Sequence, residues 1–175
     1  YHDLKHQINL LKSGADSEKA GEYLEQMERE IKIYETQNKT GNKVLDTILT
    51  SKSMHCQRHG IELKFMGEGQ LLNFMEDMDI SALFGNMLDN AIDAARGSEH
   101  KKVDIKLMIH NDSLIIEVTN STVQAPDFHS RKGTGHGYGM KIIERIAAQY
   151  EGMVKYDYDE QSHTVSVHCL MPLPK

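Results

Sequence analysis

The chain has 175 residues, which suits one domain of ordinary size, or a small domain with an appendage, and excludes several independent cores. Its 39% hydrophobic and 26% charged residues are typical of a globular protein and exclude a disordered or fibrous one. The formal net charge of -6 argues against a nucleic-acid surface, since no basic patch stands out beyond Arg131 and Lys132. No stretch stays apolar for the ~18 residues that a membrane span needs. With two cysteines, Cys56 and Cys169, and no signal-like start, a cytoplasmic location is expected.

The first part of the chain is polar and helical in pattern. It starts without methionine, and residues 1–4 already read as helix, so we expect a piece of a longer protein. After a break at 13–15, a second helix is predicted with Asp16 as its N-cap. Its apolar positions alternate in steps of four and three, at Ala20, Leu24, Met27, Ile31 and Tyr34. Such a narrow seam favours packing against another helix, in a bundle with a second copy or on the rest of the chain.

The remainder of the chain mixes helices and strands. Helices are predicted over 43–58, 79–96 and 139–150, and strands over 61–65, 103–109, 114–118, 153–158 and 164–171. Asn111 and Asp112 indicate a tight hairpin turn, whereas 120–134 is loop-like. The predicted fold class is α+β: a helical hairpin followed by an α/β sandwich, with a mixed sheet covered by helices on one face.

Three polar side chains share one stripe of the predicted helix 79–96. Asn86, Asn90 and Asp93 are spaced by four and three residues, which places them on one side of a helix. An amide oxygen is a hard neutral ligand suited to Mg²⁺, an ion that is usually held by few protein oxygens together with phosphate oxygens. The alternative is a polar flank of a helix that covers the sheet, and spacing alone does not separate the two.

A glycine-rich segment precedes the next helix. Four glycines fall within seven residues at Gly133, Gly135, Gly137 and Gly139, which frees the backbone for close approach to a ligand. The helix that follows offers unpaired amides and a positive dipole end, so the segment is a candidate phosphate cradle. Arg131 and Lys132 stand just before it and can reach phosphate oxygens. A flexible loop with solvated charges is the alternative.

A histidine pair lies near the start of the chain. His2 is followed directly by Asp3, and His6 and Gln7 lie about one helical turn further on. A histidine that titrates near neutrality is a competent nitrogen nucleophile, and an adjacent carboxylate can orient it or take its proton. Two ordinary surface histidines are the alternative.

Taken together, the segments HDLKHQ at 2–7, NMLDNAIDA at 86–94 and GTGHGYGMK at 133–141 resemble the sensor histidine kinases of the GHKL superfamily. TGNKVLDTIL at 40–49 looks closest to the quorum-sensing peptide-receptor branch. The resemblance covers essentially the whole chain. It implies a dimerisation and histidine phosphoacceptor hairpin over 1–38 and a Bergerat-type catalytic and ATP-binding domain over 39–175.

The resemblance also implies roles for individual residues. His2 accepts the γ-phosphoryl group of ATP with Asp3 as its base, and Asn90 binds Mg²⁺ with Asn86 nearby. A lid spans 124–134. In some kinases of this superfamily an amide near the position of Gln7 orients water for dephosphorylating the response regulator, and the same role for Gln7 is a hypothesis here. The nucleotide site that it implies consists of Asn86, Asn90, Asp93, Asn120, Arg131, Lys132, Gly133, Gly135, His136, Gly137, Tyr138 and Gly139.

Two departures from the family pattern bear on the chemistry. Many members carry Asp-x-Gly-x-Gly where this chain has T-N-S-T-V at 119–123, and there the carbonyl of Asn120 takes the place of the carboxylate that reads the adenine amino group. In the ATPase cousins the first position of the helical motif is a glutamate that activates water. Asn86 cannot accept a proton at neutral pH, which favours phosphoryl transfer to a protein nucleophile over hydrolysis.

The resulting expectation is a kinase core that uses MgATP, autophosphorylates a histidine and passes the phosphoryl group to a response-regulator receiver domain. The resemblance also implies a homodimer in the full-length protein, an upstream membrane-embedded sensor and a cytoplasmic position of this domain. No nucleic acid is expected as a partner. A hairpin cut one residue before His2 is expected to dimerise weakly or not at all. Two rivals stay open: a GHKL scaffold that binds nucleotide without phosphate transfer, and a GHKL ATPase.

Overall fold

The computed structural model describes residues 17–123, 125 and 136–175, without the side chains at 17, 136 and 137. The predicted first helix and the predicted lid over 124–134 therefore lie outside the described residues, apart from Ala125. So do several predicted site residues, namely His2, Asp3, Gln7, Arg131, Lys132, Gly133 and Gly135.

Over the described residues the protein is of mixed α+β class, with four α-helices and a five-stranded mixed sheet, which confirms the predicted fold class. In chain order the elements are α1 (Ser17–Gln37), α2 (Lys43–Arg58), β1 (Glu62–Met66), a 3₁₀ helix (Gly69–Leu72), α3 (Asp77–Arg96), β2 (Lys102–His110), β3 (Ser113–Ser121), α4 (His136–Gln149), β4 (Met153–Asp159) and β5 (Thr164–Pro172). None of the described helices is both long and apolar enough to cross a membrane.

The chain divides into two compact units, residues 1–37 and 38–175. The described part of the first unit is helix α1, Ser17–Gln37, and the predicted N-cap Asp16 lies outside the described residues. Within the predicted seam Leu24 stays 45% exposed, while the other four positions are half-buried.

The second unit is built on a sheet with strand order β1-β2-β3-β5-β4. The β1–β2 pair is parallel and the other pairs are antiparallel. Strands β2 and β3 are joined by Asn111 and Asp112, whose φ angles of 49° and 62° both lie in the left-handed region. A two-residue turn of this kind matches the twist of the strands that it connects, so the predicted hairpin is confirmed.

Helices α2, α3 and α4 cover one face of this sheet. Alternate strand residues, such as Ile105 on β2 and Ile116 on β3, are buried in one cluster with Leu49 of α2, Phe84 of α3 and Ile143 of α4. Burial of each such side chain contributes roughly 1.5–3 kcal/mol. The core therefore fixes the three helices on one layer, and α3 makes contact with both of its helical neighbours.

The chain enters this unit through a hydrogen-bonded bracket, which we define as residues 40–46 together with 69–73. Thr40 donates its backbone N–H to Asp46 Oδ1 at 2.8 Å, and Gly69 N–H donates to Thr40 O at 2.7 Å. Asn42 accepts from Leu45 N–H at 3.0 Å as the N-cap of α2 and donates Nδ2 to Asn73 Oδ1 at 3.0 Å. The start of α2 is thus fixed before the helix begins.

Candidate active site

Helix α3 carries the predicted polar stripe at the border of its buried face. Its apolar side is packed into the core, whereas Asn86 and Asn90 are half-buried and Asp93 is exposed. Since the buried side of α3 cannot rotate without exposing core residues, the two amides are held at fixed positions along the edge of the helical layer.

Asn86 is oriented by its own helix. Its Nδ2 donates to the carbonyl of Ala82, one turn earlier, at 2.6 Å. This bond uses one of the two N–H donors of the amide, and its Oδ1 faces the next helix, since a Cβ on Gly139 would stand 3.3 Å from it. An amide in this position can coordinate a cation or accept a hydrogen bond, but it cannot take a proton from water.

The first turn of α4 lies directly against these amides. Gly139 is buried, and a Cβ built on it would stand 3.3 Å from Asn86 Oδ1 and 3.4 Å from both Oδ1 and Nδ2 of Asn90. The absence of a side chain at 139 therefore allows the backbone of α4 to approach the stripe. The structure thus brings together one residue of the predicted glycine-rich segment and two residues of the predicted stripe.

The prediction that this helix starts at Gly139 is wrong, since α4 begins at His136. Glycines disfavour helix when taken singly, but packing on α3 outweighs that preference here. The backbone of His136, Gly137, Tyr138 and Gly139 is therefore the first helical turn, where N–H groups lack partners within the helix and the dipole is positive. The Tyr138 side chain is 76% exposed.

Asn120 lies in strand β3, and its predicted position in a loop is wrong. The strand continues to Ser121 because the Ser121 hydroxyl contacts Ser98 Oγ at 2.7 Å and accepts from Lys102 N–H at 2.9 Å. These contacts between distant residues have no signal in the local sequence. Asn120 itself is 5% exposed and shares the alternation of Val118, which faces the helices.

The Asn120 side chain has one hydrogen bond of its own. Its Nδ2 donates to the carbonyl of Ser121 at 3.0 Å. Within residues 17–123, 125 and 136–175 no group donates to its Oδ1. A buried carbonyl oxygen without a donor is costly, so this atom is a candidate acceptor for a ligand.

The far end of α4 is tied to the start of α3. Tyr150, the residue after α4, donates its hydroxyl to Asp79 Oδ2 at 2.5 Å and accepts from Glu76 N–H at 2.9 Å. Gln149 Nε2 also donates to Asp79 Oδ2, at 3.0 Å. Burial, and then the bond to Asp79, raises the pKa of Tyr150, so the phenol stays protonated and donating at neutral pH. Sequence analysis missed these residues, because nothing local relates positions 79 and 150.

An ion pair lies next to Asn90 on the outer side of α3. Lys52 of α2 contacts Asp89, and their side chains are 25% and 60% exposed. Such exposed pairs typically contribute well under 1 kcal/mol. Asp89 therefore offers a control position beside the stripe, with a carboxylate that contacts α2 instead of α4.

Solved structures share this fold. The catalytic domain of histidine kinase ThkA has the same fold, with a TM-score of 0.60 at 17% identity over 76% of this chain and 94% of that one. The Acinetobacter baumannii histidine kinase AdeS aligns at 0.58 and 14% identity, over 99% and 95% of the two chains. Full-length ShkA in complex with AMPPNP aligns at 0.57 and 16% identity, over 74% of this chain and 29% of that one.

The family follows from the sequence itself. Residues 75–169, more than half of the chain, match the GHKL domain, and the chain belongs to this family. No curated protein matches the sequence.

Proposed function

We propose that the chain is the catalytic core of a sensor histidine kinase, which binds MgATP and transfers its γ-phosphoryl group to a histidine. The observation that carries this proposal is the contact of Gly139, in the first turn of α4, with the amides of Asn86 and Asn90 in a GHKL domain. The nucleotide analogue in the ShkA complex supports a nucleotide as the ligand of the same fold.

The residues at this contact fit a magnesium nucleotide. The first turn of α4 offers backbone N–H groups and a positive dipole end to phosphate oxygens. Asn90, with Asn86 beside it, supplies neutral oxygens of the kind that Mg²⁺ takes when phosphate completes its shell. When bound, the ion neutralises phosphate charge. We further propose that Asp93, His136, Gly137 and Tyr138, with residues 131–135, complete the site and that 124–134 form its lid.

Asn120 is the proposed adenine contact. Its Oδ1 is buried and has no donor in the described part of the chain. An adenine amino group would supply that donor. The neighbouring Ser98–Ser121 contact holds the end of β3 in place, so the acceptor is fixed before any ligand arrives.

The reaction is proposed to be phosphoryl transfer to protein. It breaks the bond between the γ-phosphorus and its bridging oxygen, releases ADP and forms a nitrogen–phosphorus bond to the ring of His2, whose proton passes to Asp3. Asn86 supports this direction, because an amide cannot activate water as a base. The phosphoryl group then passes to an aspartate of a response-regulator receiver domain, and Gln7 is the proposed residue for its later removal.

The domain roles and the dimeric, membrane-bound form of the protein are proposed from the resemblance of its segments to those of sensor histidine kinases. Residues 1–38 act as the dimerisation and phosphoacceptor hairpin, and 39–175 as the catalytic domain of a homodimeric, membrane-bound sensor with this part in the cytoplasm. The quorum-sensing branch is proposed from TGNKVLDTIL at 40–49, part of which forms the bracket at the start of α2.

A phosphorylation assay tests the proposal. The chain is incubated with Mg²⁺ and γ-labelled ATP, and the label is scored as acid-labile and base-stable, as expected of phosphohistidine. We expect label on the unmodified chain and on His6→Gln, and none on His2→Gln. Asn90→Ala is expected to lose label, while the neighbouring Asp89→Ala keeps it.

Each other outcome contradicts a defined part of the proposal. Label on His2→Gln would exclude His2 as the acceptor. Steady phosphate release without label would indicate a GHKL ATPase. Nucleotide binding with neither label nor release, by this chain and by a longer one, would indicate a binding scaffold.

A further inference from the structure

Helix α4 connects two contacts on the same partner helix. Its first turn meets α3 at Asn86 and Asn90 through Gly139, and the residue after its last turn meets the start of α3 through Tyr150. The two helices therefore run antiparallel, with the contacts separated by 11 positions, or about 16 Å of helix. Since a helix transmits displacement along its axis, the contact at the C-terminal end of α4 sets the position of its N-terminal end.

Two hydrogen bonds and a ring contact fix the position of the Tyr150 side chain. The hydroxyl donates to the carboxylate of Asp79 and accepts from the backbone N–H of Glu76, the N-cap residue of α3. The ring packs edge-on against Phe74, with centroids 5.9 Å apart. Hydrogen bonds to charged groups are the stronger class, so these contacts oppose a slide of α4 along α3.

The turn after α4 is tightly packed, so it cannot change shape to accommodate such a slide. A Cβ on Gly152 would stand 2.1 Å from the carbonyl oxygen of Leu170 in β5, and Gly152 N–H donates to Ala147 O at 2.7 Å. The end of the helix is thus pressed against the sheet. A slide by one residue would move Gly139 by about 1.5 Å, which is enough to break its approach to the amides of Asn86 and Asn90.

We propose that Tyr150 and Asp79 are positioning residues of the nucleotide site, which set the register of α4 on α3 and so the distance between the Gly139 backbone and the amides of Asn86 and Asn90. This inference rests on the proposed function, because it assigns the site a nucleotide. Neither residue is a catalytic residue, since both lie at the opposite end of α4 from the site.

The test measures the affinity of the full chain for MgATP by titration calorimetry, at a temperature well below unfolding of every variant. Tyr150→Phe keeps the ring contact with Phe74 and removes only the hydroxyl. We expect its affinity to fall about tenfold. Asp79→Ala is expected to fall by a similar factor, while Asp79→Asn keeps an acceptor for Tyr150 and stays within about twofold of the unmodified chain. Tyr158→Phe is the matched control, since that hydroxyl contacts His163 and no helix.

Affinity of Tyr150→Phe within about twofold of the unmodified chain would overturn the inference. Equal losses in Asp79→Ala and Asp79→Asn would overturn it as well, because a register role requires rescue by the retained acceptor. Failure of the unmodified chain to bind MgATP would instead overturn the proposed function, and the nucleotide role of Tyr150 with it. A merely structural role would lower the unfolding temperature of Tyr150→Phe but leave its affinity unchanged.

Discussion

At its C-terminal end α4 is followed by Tyr150 and Gly152, which bond to α3 and press against β5. At its N-terminal end the described contact is made by Gly139, which has no side chain and where an added Cβ would stand 3.3 to 3.4 Å from two amides. One end is thus closed by packing and hydrogen bonds, and the other is shaped for approach. We infer that changes at the second end act on binding alone, whereas changes at the first end act on stability and, through the position of α4 along α3, on binding as well.

The largest expected effect lies at the closed end. Gly152→Ala places a Cβ within 2.1 Å of a backbone oxygen, so a strand or a helix must move, and we expect the free energy of unfolding to fall by about 3 kcal/mol. Urea denaturation measures this change. Gly85→Ala is the control, because nothing lies within 4 Å of a Cβ there and alanine in mid-helix is expected to add about 1 kcal/mol. Equal stability of Gly152→Ala and the unmodified chain would contradict the inference that the C-terminal end of α4 is closed by packing.

A second change concerns the open end. In Gly139→Ala the added methyl meets side-chain amides, which can shift by a few tenths of an ångström, and the gain in helix propensity offsets this cost. We therefore expect unfolding within about 0.5 kcal/mol of the unmodified chain, together with a loss of MgATP affinity of about tenfold or more. Calorimetric titration measures the MgATP affinity, and urea denaturation of the same sample measures the free energy of unfolding. A loss of stability as large as that of Gly152→Ala would make the two ends alike.

The smallest expected change in stability concerns His55, which lies on α2 and so away from both ends of α4. Burial, then the nearby His59 and Lys52, lowers the pKa of His55 from its usual 6.5. The unfolded chain then binds the proton more readily, so the stability contributed by neutral His55 is present above pH 6.5 and is lost as the pH falls through the lowered value. We expect His55→Gln to lose less stability than the unmodified chain between about pH 7.5 and pH 5, measured by urea denaturation. Parallel losses in the two chains would contradict this.

Sequence patterns predicted the helices and turns that depend on neighbouring residues. Helix α2 spans the predicted residues 43–58, and Asn111 with Asp112 forms the predicted turn, because both depend on caps and φ preferences of neighbouring residues. The polar stripe of α3 followed from helical spacing alone. The helix predicted over 139–150 ends one residue earlier, at Gln149, and the left-handed residue after it is Glu151, with φ of 61°. Gly152 is needed for its close approach to β5.

Contacts across long sequence separations escaped prediction. The end of β3 depends on Ser98 and Ser121, and Asn120 was therefore assigned to a loop. The start of α4 depends on packing against α3, so the helix was predicted to start only at Gly139. The bond between Tyr150 and Asp79 spans 71 positions. Propensity and periodicity describe one segment at a time, whereas the geometry of this site arises from pairs of segments.

The bracket at residues 40–46 and 69–73 has a consequence for how the second unit is delimited. A chain that begins at Lys43 starts at the first residue of α2, but it lacks the cap from Asn42, the bond from Gly69 to Thr40 and the bond from Asn42 to Asn73. Its first helix would begin with unsatisfied N–H groups. The second unit therefore extends at least three residues before its first helix, and we expect a protease that removes residues 1–39 to leave a more stable fragment than one that cuts at Lys43.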